Sequence, residues 1–264
     1  MDMNSLFGLS GKVALITGGS RGIGAMFVEG FLAAGAERIY ISARKGPQIA
    51  AAVEHFGPRV IGIPGDVSTV DGCRAIAAEI AAREPKLDIL INNAGAAWGV
   101  PFAEFPESGW DKVMDVNVKG PFFLTQALLP LLKAAGSADR PAKVVNIGSI
   151  DGLRLNPWET YSYHASKAAI LYLTKRLAAT LVRDHINVTA IAPGAFMSDM
   201  NKAARDHGAE VAKGIPARRI GTAEDMAAAA IYLCSRAGDY VIGETIAVDG
   251  GLVHAAVGTS IDAG

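Results

Sequence analysis

The chain has 264 residues, half of them apolar and 19% charged, with a formal net charge of −1. That composition excludes a disordered chain, and the balanced charge, with no long basic run, excludes a broad nucleic-acid surface. No run of about 18 uncharged apolar residues occurs, which excludes a helical membrane span.

Short β-branched runs alternate with longer alanine-rich segments along the whole chain. Residues 12–17 read as a strand, 22–34 as a helix, 38–43 and 60–64 as the second and third strands, and 71–83 as a helix. A fourth strand follows at 87–92, then a long apolar helix over 110–133 and a fifth strand at 143–148. A second long helix covers 160–183, a sixth strand 186–192, a helix 223–235 and a seventh strand 244–249. Nearly continuous apolar strands separated by helices predict an α/β fold: a Rossmann-type doubly wound sheet of seven parallel strands with helices on both faces. No change of composition marks a boundary, so a single domain over 1–264 is expected. The least regular segment, 195–216, reads equally as a mobile lid over a substrate or as a plain helical insertion. The tail 253–264 is weakly patterned and expected to fray. Residues 1–5 lack the pattern of a secretory signal. The two cysteines, Cys73 and Cys234, read as buried thiols. A cytoplasmic protein without a metal site is therefore expected.

Two stretches carry chemistry. Residues 17–24, Thr-Gly-Gly-Ser-Arg-Gly-Ile-Gly, lie between a strand and a helix, where glycine-rich turns bind phosphate. Gly18 permits the turn, Gly22 lets the backbone approach a phosphate, and Gly24 allows close helix packing, with Ser20 and Ile23 between them. At the end of the second strand a protein selective for NAD offers a carboxylate to the ribose. This chain has Ala43 and then Arg44 and Lys45. With Arg21 in the turn, two guanidinium groups are placed to clamp a 2′-phosphate, which favours NADP(H). The second stretch holds Tyr163 and Lys167, four residues apart and so on one helix face. A phenol can deliver a proton, and a neighbouring ammonium favours its phenolate form. Tyr161 has no lysine four residues on and reads as structural; His164 reads as packed.

These marks, with Asp66-Val67, 92–95 (Asn-Asn-Ala-Gly), Asn117, Ser149 and Pro193-Gly194 in this order at strand ends, resemble the short-chain dehydrogenase/reductase family over residues 10–251. The resemblance implies that Asp66 and Val67 hold adenine and that Asn93, Ala94 and Gly95 bracket the adenosine half. It implies that Pro193, Gly194, Phe196 and Ser198 lie on the nicotinamide side, with Ser198 where relatives carry Thr. It implies that Asn117, Ser149, Tyr163 and Lys167 form the catalytic group, with Tyr163 and Lys167 also touching the cofactor. It further implies a homotetramer paired through the two long helices, with Phe122, Leu128, Leu132, Leu171 and Leu177 as interface candidates. Within the family the chain is most similar to bacterial 3-ketoacyl reductases of the kind associated with rhamnolipid synthesis, on 96–99, Gly109-Trp110, 146–149 and 191–194. The expected substrate is a small-molecule ketone or alcohol of hydrophobic or extended shape, walled by Trp98, Leu153, Trp158, Phe196 and Met200. The expected activity is NADP(H)-dependent interconversion of a ketone and a secondary alcohol. Two other readings stay open at this point: an NAD-dependent alcohol or polyol dehydrogenase, and a catalytically silent NADP-binding regulator.

Overall fold

Residues 1–198 and 201–256 are described by the structure, a computed structural model. Among them, seven strands make one sheet: β1 (Val13–Thr17), β2 (Arg38–Ala43), β3 (Val60–Pro64), β4 (Ile89–Asn92), β5 (Ala142–Ile147), β6 (Ile186–Pro193) and β7 (Thr245–Val248). Every pairing is parallel, and the order is β3-β2-β1-β4-β5-β6-β7. The order reverses between β1 and β4, which opens a crevice at the carboxyl ends of those strands.

The strands are apolar on both sides because both sides are covered. On one face, helices α2 (Gly22–Ala33), α3 (Gly46–Phe56) and α11 (Ala223–Cys234) bury Phe27, Phe31, Ile49, Met226 and Leu233 against Ile16, Ile41 and Ile91. On the other, α4 (Val70–Ala81), α6 (Gly120–Ala127), α7 (Leu129–Ala135) and α8 (Tyr161–Leu181) bury Ile76, Leu124, Leu132 and Leu181 against Leu15, Leu90 and Val144. Local signals fix several helix starts. Thr69 caps α4 by accepting the Gly72 N–H, and Thr222 with Asp225 forms a capping box on α11.

Three elements differ from the sequence expectation. The apolar stretch 110–133 is not one helix. It is α5 (Glu107–Met114), a π-helical turn (Asp115–Lys119), α6 and α7. Pro121 and Pro130 sit in the first turns of α6 and α7, where a missing N–H costs nothing, so each proline marks a restart. Helix α3 and a short N-terminal helix α1 (Met3–Phe7), capped by Asp2, were not visible in the pattern. The segment 195–216 contains two short helices, α9 (Lys202–Asp206) and α10 (Gly208–Lys213), with the side chains of Ala204 and Ile215 buried. Leu128, Leu132 and Leu171 are buried in the chain's own core, so none of these three is free to pair with another copy, and Leu177 is half-buried against it. Cys73 and Cys234 are free and buried, and burial raises their thiols to about 11 and about 12.

Candidate active site

The glycine turn is built by backbone need. Gly18 and Gly22 have φ of +67° and +55°, in the left-handed region that disfavours a side chain. A Cβ on Gly18 would stand 2.9 Å from Asn93 Nδ2, and one on Gly24 would collide with the Gly18 carbonyl oxygen. The turn is tied to the end of β4. The Asn93 and Ala94 N–H groups both donate to Thr17 Oγ1 at 3.0 Å, and Asn93 Nδ2 donates to the Thr17 carbonyl at 2.8 Å. These bonds hold the two sides of the crevice together at the reversal of strand order.

A cavity of about 760 Å³ fills this crevice. Gly18, Ser20, Arg21, Gly22, Ile23 and Gly24 line it from the turn, and Ser42, Arg44 and Lys45 line it from the end of β2. Asp66, Val67, Asn93, Ala94 and Gly95 follow, then Pro193, Gly194, Phe196 and Ser198 from the end of β6. Every residue assigned to a cofactor from the sequence thus reaches one wall system. The donor set fits a dinucleotide with an extra phosphate: a helix N-terminus behind glycines, two guanidinium groups, and no acidic residue at position 43. Ser42 Oγ adds to the fit, since it is buried on this wall without a hydrogen-bond partner.

Ser149, Tyr163 and Lys167 meet on the same cavity. Ser149 follows β5, and its Oγ accepts the Asp151 N–H at 3.1 Å, which leaves the hydroxyl proton to point elsewhere. Tyr163 and Lys167 lie one turn apart on α8. Lys167 Nζ is 5.4 Å from the Tyr163 ring centroid and donates to the Ile147 carbonyl at 2.8 Å. Burial pushes the Tyr163 phenol up to about 12, against the pull of a hydrogen bond from Ser149, and the Asp151 charge adds to the rise. Burial also brings the Lys167 ammonium down to about 8, opposed by Asp151. The lysine charge was expected to lower the phenol; burial instead raises it.

Other expectations need correction. Asn117 lies in the π-helical turn, off the cavity wall. Its Oδ1 accepts the Ala96 N–H at 2.8 Å, and its Nδ2 donates to the Ala96 carbonyl and to Ser166 Oγ, both at 2.9 Å. Its amide is therefore engaged in holding the 94–97 loop against α8. Trp98 packs against Gly109, under the Lys112 ammonium at 5.1 Å, and does not line the cavity. Leu153 is exposed and also stands off the wall. Phe196 lines the cavity only as part of the core: it is 2% exposed, and its ring fills the space over Gly221. Met200 falls outside the described residues. Trp158 is where it was expected, on the wall and 66% exposed. Tyr161 bonds Glu159 Oε1 at 2.8 Å and stacks edge-on with Phe102 and Phe105, a structural role as read. Sequence reasoning gave Asp151 no role and did not single out Lys112, Arg154, Asn156 or Leu252, all on the cavity wall. Asp151 and Asn156 sit in a loop with no periodicity, and only their closeness to Ser149 could have singled them out.

A crevice at a strand-order reversal, a glycine phosphate turn and a Ser-Tyr-Lys group on its wall define a dinucleotide-binding oxidoreductase. A family model described as enoyl-(acyl carrier protein) reductase matches residues 18–253. The chain belongs to the short-chain dehydrogenase/reductase family. It is 45% identical to a rhamnolipids biosynthesis 3-oxoacyl-[acyl-carrier-protein] reductase of Pseudomonas aeruginosa, over 94% of this chain and 99% of that one. It is 37% identical to a 2-dehydro-3-deoxy-D-gluconate 5-dehydrogenase of Dickeya dadantii, over 93% and 96%. Among solved structures it is similar to the Pseudomonas aeruginosa RhlG/NADP active-site complex, with a TM-score of 0.91, 42% identity, and 95% and 100% of the two chains covered. A gluconate 5-dehydrogenase from Burkholderia cenocepacia in complex with NADP and tartrate gives 0.87, 35%, and 97% and 100%.

Proposed function

We propose that this protein is a cytoplasmic NADPH-dependent carbonyl reductase that takes 3-oxoacyl esters or thioesters and works as a homotetramer. The observation that carries the reading is the meeting of Ser149, Tyr163 and Lys167 on a cavity whose β2 side presents Arg21 and Arg44. The glycine turn with Ser20 and Ile23 would hold the pyrophosphate, and Arg21 with Arg44 the 2′-phosphate. Asp66 and Val67 would take the adenine, with Asn93, Ala94 and Gly95 beside the adenosine half. Pro193, Gly194 and Ser198 would border the nicotinamide. NADPH, when bound, supplies the hydride.

The chain's own residues do the rest. Ser149, its oxygen already accepting from the Asp151 N–H, donates a hydrogen bond to the substrate carbonyl and stabilises the developing alkoxide. Tyr163 gives that oxygen a proton. Burial keeps the phenol neutral, which is the donor form. Lys167, fixed to the Ile147 carbonyl, stands beside the phenol and stabilises the phenolate left behind. Asn117 is a positioning residue: it holds the Ala96 backbone and Ser166 in place.

The 3-oxoacyl substrate class draws on the Pseudomonas relative, more similar to this chain than the relatives named for sugar acids. The apolar side chains of Trp158, Ile150 and Leu252 on the wall suit an acyl group. Free buried thiols accord with a reducing compartment, and no helix among the described residues is long and apolar enough to cross a membrane. The test is NADPH consumption with 3-oxoacyl esters and thioesters. Tyr163→Phe should lower turnover by about two to four orders of magnitude while NADPH binding persists, and Tyr161→Phe should be mild. No consumption with any of these ketones, or a reversal of the two tyrosine effects, would overturn the reading.

A further inference from the structure

Trp158 lines the cavity and is 66% exposed, yet its backbone is fixed on both sides. The Trp158 N–H donates to Asn156 Oδ1 at 2.8 Å across Pro157, and the Trp158 carbonyl accepts the Thr160 N–H at 2.8 Å. Asn156 Nδ2 in turn donates to Asp151 Oδ1 at 2.8 Å, and the Asp151 N–H donates to Ser149 Oγ at 3.1 Å. On the far side, Glu159 Oε1 accepts the Phe102 N–H at 3.2 Å and the Tyr161 hydroxyl at 2.8 Å. The loop is therefore tied at one end to the catalytic serine and at the other to the start of α8. A chain that extends from the reacting carbonyl along this loop reaches the indole.

Among the described residues no aromatic ring and no cation lies over Trp158, whereas Trp98 carries Lys112. Arg154 Nη1 donates to the Leu252 carbonyl at 2.6 Å, so the loop that carries Trp158 abuts the turn that carries Leu252. Ile150, Trp158 and Leu252 thus supply apolar surface to one stretch of wall. Lys112, Asp151 and Arg154 lie on the same wall, so the free site is wet. A ligand gains there by taking the indole out of water.

We propose that Trp158 is a specificity-determining residue: its indole is the platform on which the alkyl chain of an extended 3-oxoacyl substrate lies, so that the protein selects long acyl chains over short ones. The physical ground is the apolar area that leaves water when chain and ring meet. An indole whose backbone is already held in place supplies that area at a small entropic cost. The inference rests on the 3-oxoacyl reductase reading and extends it to the length of the chain.

The experiment uses N-acetylcysteamine thioesters of 3-oxobutanoic, 3-oxohexanoic and 3-oxodecanoic acids as substrates. The corresponding 3-hydroxyacyl thioesters serve as ligands of the NADP-loaded protein, followed by tryptophan fluorescence. In wild type, kcat/KM and affinity should both rise about twofold per methylene, the gain expected when one side of an alkyl chain leaves water. The longest ligand should also shift the emission to the blue. Trp158→Ala should reduce the decanoyl-to-butanoyl ratio by about tenfold or more in both measurements and remove the blue shift. Trp158→Gln serves the same purpose should the first variant not fold. Leu155→Ala removes a side chain that is 84% exposed on the same loop but off the wall, and should keep the wild-type ratios. A wild type indifferent to chain length, or ratios unchanged in the Trp158 variants, would overturn the proposal. So would a Trp158→Ala protein that scatters light as a smaller particle than wild type, because the indole would then belong to a subunit contact. If no ketone is turned over but ligand affinity climbs with length and loses that dependence in the Trp158 variants, the reductase reading fails and the platform stands.

Discussion

At Lys167 the fold holds a cation away from water, and that has a cost readable in stability. Its ammonium titrates at about 8 in the folded chain, below the 10.5 of a free lysine. Between those values the unfolded chain holds more protons than the folded one, so stability must rise with pH across that window. Below about pH 8 the full penalty is present. Lys167→Met removes the titration, and the wild type should gain on the variant by about 2 kcal/mol between pH 7.5 and 10, as measured by urea unfolding. A flat difference across that range would show that Lys167 is not desolvated. A second residue-scale prediction concerns Arg44. Ala43→Asp with Arg44→Leu should turn preference from NADPH to NADH, because each lost charge-assisted contact to a 2′-phosphate is worth about 1.5–3 kcal/mol. Wild type binding NADH as tightly as NADPH would defeat this. The signals at these positions were legible in the sequence because they are local: a missing carboxylate at 43, a lysine four residues after a tyrosine, glycines where φ is positive. The depression of Lys167 was not, because burial depends on what β5 and the 150–152 turn place around it.

At the scale of elements, strands were easier to read than helices. A strand buried on both faces declares itself as an unbroken apolar run, as 13–17 does. The π-helical turn at 115–119 leaves no such mark, although it aims Asn117 at the Ala96 backbone. Short α9 and α10 carry too few turns for a period to show. They bear on the lid expected at 195–216, and the structure narrows what could move. Phe196 is packed on Gly221, and Ile215 is 3% exposed, so both ends are fixed. Between them Met197 is half exposed, while Asn201, Ala203 and Val211 face the cavity. We expect α9 and α10 to shift as a pair between the fixed ends when cofactor and substrate bind, which excludes water from the site. Hydrogen exchange should then show amides over 202–213 protected in the ternary complex and exchanging faster in the free protein, with Phe196 and Ile215 protected in both. Equal protection of 202–213 in the two states would make this a rigid insertion, and selectivity would belong to the wall at Trp158.

The whole molecule was legible as far as its internal sheet and no further. Periodicity says that a helix face is apolar; it does not say which body covers that face. Leu128, Leu132 and Leu171 looked like interface candidates because α7 and α8 carry much apolar surface, yet this chain's own core absorbs all three. What remains outside is aromatic: Trp110 on α5 is 43% exposed, Phe122 on α6 36%, and Tyr172 on α8 76%. Large apolar groups on adjacent outer helices mark a surface that association would cover. Pairing of α5, α6 and α8 about a two-fold axis, with a second two-fold joining dimers, would give the tetramer proposed above. Light scattering at micromolar concentration should therefore report a particle four times the 27.4 kDa of one chain. Phe122→Glu together with Tyr172→Glu puts charge where the partner's apolar surface would lie, and should leave dimers or monomers whose α8 no longer has its outer face covered. Turnover should fall with that dissociation, since α8 presents Tyr163 and Lys167 from its opposite side. A wild-type monomer, or a doubly charged variant that still sediments as a tetramer, would place the interface elsewhere or remove it.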